Sequence, residues 1–340
     1  MKKRVLVTGA SGSVGIEVLK ELQKRKEDFD VRVFDIRTRK TRKRLSEFRN
    51  DFEIVYGNLT KAEMVWKACQ GVDIVIHLGA IIPPLADKLP ALARQVNVEG
   101  TRNIIKALRR LNPKALLLYS SSISVYGDRL KNPWIKVDDE LKPSFGDYYA
   151  VTKIDAEELV KNSGLNWSVF RLTAIMGPQT KMSPLFFHMP LDTSLEIATA
   201  RDTGYAFTKA LENREKLNHR IFNLSGGPSC RTSYREFMKT VFSIIGLKKF
   251  SFPGRAFADH NFHCGYYADE NILQDILDFQ RDSLDDYYNI LRSRQKPILF
   301  RITQTFNNLI IWCLLQRSEP FNALRRREEK LLKRFFYPST

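Results

Sequence analysis

Val5-Leu-Val-Thr-Gly9-Ala-Ser-Gly12-Ser13-Val14-Gly15 is the stretch on which the reading of the whole chain turns. Its apolar start, Val5–Thr8, predicts a buried strand, and the spacing from Val14 to Lys26 predicts a helix. Between them stand glycines at i, i+3 and i+6. Such a loop turns tightly, lets the backbone approach a pyrophosphate, and packs helix on strand; the free N–H groups at the helix start favour an anion. Gly9, Gly12, Ser13, Val14 and Gly15 are therefore candidates to hold the phosphates of a dinucleotide. Asp35 ends the next predicted strand, Val31–Asp35, twenty residues past Gly15, where a carboxylate can accept both ribose hydroxyls of an adenosine. A carboxylate there would repel a 2′-phosphate, which favours NAD. Arg37, Arg39 and Lys40 pull the other way and keep NADP as the alternative.

Working outward, Phe52–Tyr56, Ile74–Leu78, Leu116–Ser120 and Trp167–Leu172 are further apolar runs that read as strands buried on both faces of a parallel sheet. Helices are predicted over Lys61–Cys69 behind the cap candidate Thr60, over Ala91–Leu111, and over Asp147–Ser163. Repeating β-α-β units imply an α/β fold, a doubly wound parallel sheet of the Rossmann type with ligands at the carboxyl ends of its strands. Residues 1–178 are expected to form the NAD(P)-binding domain, with 219–226 returning to it through the strand Ile221–Leu224. Residues 179–291 would form a smaller substrate lobe, with helices around Asp202–Leu211 and Tyr234–Gly246, and 292–340 a basic amphipathic helical tail.

The 340 residues carry 55 Lys+Arg against 38 Asp+Glu, a net charge of +17, with 43% hydrophobic residues. That apolar fraction excludes an intrinsically disordered chain. Six of the positive charges lie in 37–44 and a net eight in 292–340, so the body of the chain is close to neutral. Nucleic-acid-binding motifs are absent, and no nucleic-acid partner is expected. The cysteines at 69, 230, 264 and 313 make no C-x-x-C pair and read as those of a reducing compartment. The first apolar run is too short for a signal peptide, so the expected location is cytoplasmic. His260, His263 and Cys264 lie close in sequence but lack a further ligand pair, and no metal is expected.

Tyr149 and Lys153 stand at i and i+4 on one helical face. The ammonium should lower the pKa of the phenol, so that Tyr149 can exchange a proton with a substrate oxygen while a nicotinamide exchanges a hydride. The Ser120-Ser121-Ser122 run, at a strand end, offers a group to hold that oxygen of a small-molecule substrate.

With these residues together, the chain resembles the extended short-chain dehydrogenases/reductases of the NAD-dependent epimerase/dehydratase group. The resemblance is carried by Thr8–Gly15, Gly57-Asn58-Leu59, Val75–Ala80, Val96–Thr101, Tyr119–Gly127, Tyr149–Lys153 and Arg171–Pro178. It implies a Rossmann fold and a nicotinamide dinucleotide. It makes Ser122 the substrate-orienting serine, Tyr149 the acid/base, and Lys153 a group that also grips the nicotinamide ribose. Asn58 and Leu59 would flank the adenine, with Leu78, Gly79, Ala80, Asn97 and Thr173 also assigned to the cofactor site. It further implies a homodimer paired through helices that include Tyr149–Lys153, and reversible hydride transfer at a secondary alcohol, in the manner of nucleotide-sugar epimerases.

The chain departs from the group at several points. Ile123 and Ser124 replace the Asp-Glu pair of 4,6-dehydratases, so a dehydratase of that type is not expected. Asn58 replaces an adenine-side aspartate, and Ala174 stands where nucleotide-sugar enzymes carry an asparagine. Glu196–Ala206 matches poorly the late segment around Val-Asp-Asp-Val-Ala. The apolar stretches Ile81–Leu85 and Met182–Pro190 read either as inter-lobe packing or as the pocket of an apolar alcohol or ketone, of the 3β-hydroxysteroid or dihydroflavonol type. A non-catalytic dinucleotide-binding scaffold is the alternative of another class. The tail, with its stripe Leu299, Ile302, Phe306, Leu309 and Cys313 beside basic residues, reads either as a helix docked on the protein or as a peripheral membrane contact.

Overall fold

The computed structural model describes residues 2–178, 184–247 and 250–336. In chain order its strands are β1 (Lys3–Thr8), β2 (Phe29–Asp35), β3 (Glu53–Tyr56), β4 (Ile74–His77), β5 (Leu116–Ser122), β6 (Trp134–Ile135), β7 (Asn166–Leu172), β8 (Ala174–Met176), β9 (Ser194–Thr199), β10 (Arg220–Leu224), β11 (Arg231–Ser233) and β12 (Tyr266–Tyr267). Seven of them form one sheet in the order β10-β7-β5-β4-β1-β2-β3, and every neighbouring pair is parallel. The order reverses beside β1, at the crevice between β1 and β4 where doubly wound sheets bind ligands. β1, β4 and β5 read as near-continuous apolar runs because helices cover both faces of this sheet.

On one face the helices Ser13–Gln23 and Ala200–Lys209 enclose a core containing Val5, Val7, Leu19, Leu118 and Phe207. On the other, Leu117, Val75, Ile104 and Val160 join Gly100–Leu111 and Tyr148–Lys161. Gly204 makes the first of these packings possible: a Cβ there would come within 2.7 Å of Glu17 Cβ and 2.8 Å of its backbone.

Two local expectations are corrected, and one further helix is added. Thr60 does not cap the third helix: Ala62–Ala68 starts after Lys61 with no side-chain cap, and the Thr60 N–H instead donates to Asn58 Oδ1 at 3.0 Å. The span read as one helix from Ala91 is interrupted, because a wide π turn, Gln95–Glu99, separates Pro90–Arg94 from Gly100–Leu111. The basic run after Asp35 is itself a helix, Arg39–Leu45, capped by the Thr38 hydroxyl. Its side chains Arg39, Lys40, Arg42 and Lys43 are exposed.

β9 is flanked by β8 and β11 in a small sheet, and β12 pairs with β6. Behind them a second core gathers Phe187, Phe237, Phe242, Phe257 and Tyr287. Within the apolar stretch 182–190, Met182 and Ser183 lie outside the described residues. The tail is not detached from this body. Leu314 enters the second core, and Ser318 Oγ donates to the Ala256 carbonyl at 2.7 Å. The Phe335 carbonyl accepts from Asp259 N at 2.9 Å. No single helix among the described residues is long and apolar enough to cross a membrane; Pro297–Thr305 and Asn307–Leu315 approach that only as a pair bent by 81°.

Substituting Gly204→Ala should force the two helices apart and lower the unfolding free energy by about 1–3 kcal/mol. Chemical denaturation monitored by circular dichroism checks this; an unchanged midpoint would contradict the close packing.

Candidate active site

A cavity of about 980 Å³ opens along the carboxyl ends of the central strands. Gly9, Gly12, Ser13, Val14 and Gly15 line one end, with Asp35, Asn58, Leu59, Leu78, Gly79 and Ala80 beside them. Two glycines are fixed by sterics alone. Gly9 has φ +65° and lies so close to Gly79 that a Cβ would sit 2.6 Å from its backbone; a Cβ on Gly15 would sit 2.5 Å from that of Ala10. The helix Ser13–Gln23 begins at Gly12 with no side-chain cap and no acid in its first turn. Its N-terminus is therefore left to an anion from outside the chain. Asp35, buried, accepts from Ser11 N at 2.8 Å and Ile36 N at 2.7 Å, which fixes its carboxylate at the cavity wall. Arg37, Arg39 and Lys40 are exposed and do not line the cavity, so the charge at that point is the carboxylate's. These residues fit the adenosine half of NAD.

Ser122, Tyr149 and Lys153 line the same cavity. Ser122 ends β5 and hydrogen-bonds Tyr149. Asp147 caps the helix that carries Tyr149 and Lys153, its Oδ1 accepting from Ala150 N at 2.9 Å. Lys153 is buried and donates to the Ser120 carbonyl at 2.6 Å, with Nζ 4.8 Å from the Tyr119 ring centre. The expectation that Lys153 lowers the Tyr149 pKa is corrected. Burial pushes the phenol above its ordinary range; the Ser122 hydrogen bond pulls it down and the Asp147 charge pushes it further up. Burial also brings Lys153 down to about 7, against the favourable charge of Glu157 one turn on. In the unliganded site these surroundings favour the protonated phenol.

Asn97, expected at the cofactor, does not line the cavity. Its amide clamps Ile81 (N to Oδ1 2.8 Å, Nδ2 to O 3.0 Å) and donates to Thr152 Oγ1 at 2.9 Å, tying the loop after β4 to the Tyr148–Lys161 helix. Thr173 lines the cavity, but its hydroxyl donates to the Glu196 carbonyl at 2.6 Å. His77, buried between Thr8 Oγ1 (2.7 Å) and Thr101 Oγ1 (3.0 Å), is brought down to about 3 by burial, so this bridge stays neutral. His263 pairs with Asp147 Oδ2 at 2.9 Å. Glu196, in the poorly matched segment, is buried and accepts from Ser225, Gly227 N, Arg231 and Tyr267 N.

The lining of the same cavity also includes Ile81, Ile82, Leu85, Ile175, Leu185 and Phe262, together with Asp87, His188 and Arg334. Sequence reasoning missed these last three, since nothing local marks residues so far apart as neighbours.

Lys153 should leave a pH signature on stability. Below about 7 it is protonated in both folded and unfolded chains. Between about 7 and 10.5 only the unfolded chain keeps the proton, so raising the pH favours the folded state. The melting temperature of the wild type relative to Lys153→Met should therefore climb across that window; a flat difference would contradict the shift.

The fold and the family match below define an extended short-chain dehydrogenase/reductase. The chain belongs to the 3-beta hydroxysteroid dehydrogenase/isomerase family, whose sequence profile matches residues 6–179. It is 28% identical over 159 residues to the 3 beta-hydroxysteroid dehydrogenase type 7 of Mus musculus, covering 46% of this chain and 43% of that protein. It is 29% identical over 200 residues to the UDP-glucuronate 4-epimerase 4 of Arabidopsis thaliana, covering 55% and 45%. These matches thus span less than half the length of either relative. Among solved structures, the UDP-glucuronic acid 4-epimerase from Bacillus cereus, in complex with UDP-glucuronic acid and NAD, superposes with a TM-score of 0.70 at 19% identity. That superposition covers 85% of this chain and 99% of the other. A short-chain dehydrogenase/reductase superfamily protein from Agrobacterium tumefaciens with bound NAD gives 0.65 at 20% identity, covering 90% and 99%. At such identities the superpositions establish the fold.

Proposed function

We propose that this protein is an NAD-dependent oxidoreductase acting on a secondary alcohol, or the matching ketone, carried on an apolar body. The observation that carries this is the lining of the cavity that also holds Tyr149. Among the described residues the cavity's arginines and lysines are Lys153, engaged by a carbonyl, and Arg334, already neutralised by Asp87 at 2.9 Å. A sugar diphosphate would find no unpaired cation there, whereas Ile81, Ile82, Leu85 and Ile175 suit a hydrocarbon.

When bound, NAD supplies the hydride acceptor. In the reducing direction Tyr149 donates its phenolic proton to the substrate oxygen as the carbonyl carbon gains the hydride. In oxidation it takes that proton back. Ser122 orients the oxygen, and Lys153 offsets the charge left on the phenolate. Tyr149→Phe should lower kcat by about 10²–10⁴-fold while NAD binding, followed by fluorescence or calorimetry, persists. An active variant would remove Tyr149 from this role.

The likeness to UDP-glucuronate 4-epimerases supports a second reading, a nucleotide-sugar epimerase. An epimerase keeps its cofactor and turns over without added NAD. Accumulation of NADH with added NAD and a hydroxysteroid-type alcohol therefore separates the two. Exposed Tyr148, Val151 and Leu92, on adjacent helices joined by an Arg94–Asp155 pair at 2.5 Å, support a homodimer through that face.

The bent helix pair 297–315 supports a peripheral membrane contact. Ile298 is 74% exposed and Trp312 58%, with Leu299, Ile302, Phe306 and Leu309 also outward, flanked by Arg294, Lys296, Arg301 and Arg317. The full-length protein should float with anionic vesicles, and Trp312 fluorescence should shift to the blue; neither should occur with Phe306→Ser/Leu309→Ser. Flotation of the wild type and the double variant alike would refute this contact.

A further inference from the structure

We infer that His263 is a positioning residue for the chemistry of Tyr149, acting from the second lobe through Asp147 at the start of the helix that carries Tyr149. This rests on the role proposed above for Tyr149 and extends it.

Two ties in step join that lobe to the helix start. Cys264, buried in the second core, anchors the segment that provides them. Asn261, at φ +70°, exchanges two hydrogen bonds with the backbone of Phe145: Phe145 N donates to Asn261 Oδ1 at 2.9 Å, and Asn261 Nδ2 donates to the Phe145 carbonyl at 2.9 Å. Two residues further along both segments, His263 Nδ1 lies 2.9 Å from Asp147 Oδ2. The imidazole is stacked on Phe262, with ring centres 4.5 Å apart. The side chains of His263 and Asp147 are 19% and 6% exposed, and both residues line the cavity that holds Tyr149.

The two oxygens of Asp147 have different tasks. Oδ1 caps the helix, accepting from Ala150 N at 2.9 Å. Oδ2 is shielded from solvent, and no donor elsewhere among the described residues hydrogen-bonds to it. Burial already raises the pKa of Tyr149, and the Asp147 charge raises it further. A proton on His263 Nδ1 draws off part of that negative charge and holds the carboxylate where it caps. Other charged or titratable groups at this junction are Lys153, with Nζ 5.7 Å from the Tyr149 ring centre, and Tyr119 on β5. Asp128 accepts from Asn261 N, and Arg334, paired with Asp87, lies against Gly146. His263 is the one that meets Asp147.

The test follows NADH formation by the full-length protein from NAD and a 3β-hydroxysteroid across pH. Oxidation needs Tyr149 to accept a proton, so kcat rises with pH along a limb set by the coupled Tyr149–Lys153 pair. His263→Phe removes the donor and leaves the carboxylate charge in full beside Tyr149. It should move that limb to higher pH by about half a unit or more, a loss of about threefold or more in kcat on the rising side. His263→Asn, whose amide nitrogen takes the place of Nδ1, should restore the limb, and in an Asp147→Asn background His263→Phe should move it no further. A limb that stays in place while kcat falls at every pH overturns the inference, because lost packing alone does that. The same shift in the Asp147→Asn background overturns it too; should that background fail to fold, the contrast between Phe and Asn at 263 decides. A wild type that forms no NADH, or an active Tyr149→Phe, overturns instead the reading of the site on which the inference rests, and the inference with it.

Discussion

Arg171 and Glu157 form an ion pair that the rest of the site leans on. Their side chains are 4% and 1% exposed, and the guanidinium meets the carboxylate at 2.8 Å. Arg171 lies on β7 and Glu157 on the Tyr148–Lys161 helix, so the pair bolts that helix to the sheet. Arg171 also donates to Tyr126 Oη at 2.8 Å and to the Val137 carbonyl at 2.9 Å, while Tyr126 donates to Asn223 on β10 at 2.7 Å. Asn223 in turn donates to Asp269, and Tyr267 donates to the Arg171 carbonyl. One network thereby fixes sheet, helix and second lobe in a single arrangement. A buried pair of this kind gives modest net stability when whole, but losing one member strands a charge at a cost of about 3–5 kcal/mol. Glu157 is also the group that favours charge on Lys153, one turn away. The scaffold and the chemistry share a carboxylate.

How much of this was legible from the sequence follows the range of the interactions. β1, the glycine loop and Asp35 were legible because a strand, a tight turn and a helix start are written in neighbouring residues. The parallel sheet was legible from its apolar runs, since double-sided burial leaves that imprint. The pKa of Tyr149 was misjudged because spacing reveals a nearby ammonium but not the depth at which both groups lie. Asn97 carries no mark distinguishing an amide that touches a ligand from one that clamps Ile81 and Thr152. The helix Arg39–Leu45 was hidden because its stripe holds only Thr41 and Leu45 as buried residues.

The charge excess resolves into places with different environments. The basic helix after β2 lies on the surface, so Asp35 lines the cavity without Arg37, Arg39 or Lys40 beside it in the lining. In the tail the charges divide: some flank the outward apolar stripe of 297–315, whereas Arg334 turns inward to Asp87. One amphipathic segment therefore faces two ways, and composition alone could not have separated them.

The position of that last helix bears on the order in which the molecule assembles. The dinucleotide cradle is built from contacts made between residues 9 and 101, early in the chain. The Asp87–Arg334 contact spans 247 positions, and the cavity lining is not complete until residue 334 has emerged. Because long-range contacts form late and domains mature from the N-terminus during synthesis, a nascent chain forms its glycine-loop contacts well before the lining of the cavity is complete. The two events are separated in time by most of the polypeptide.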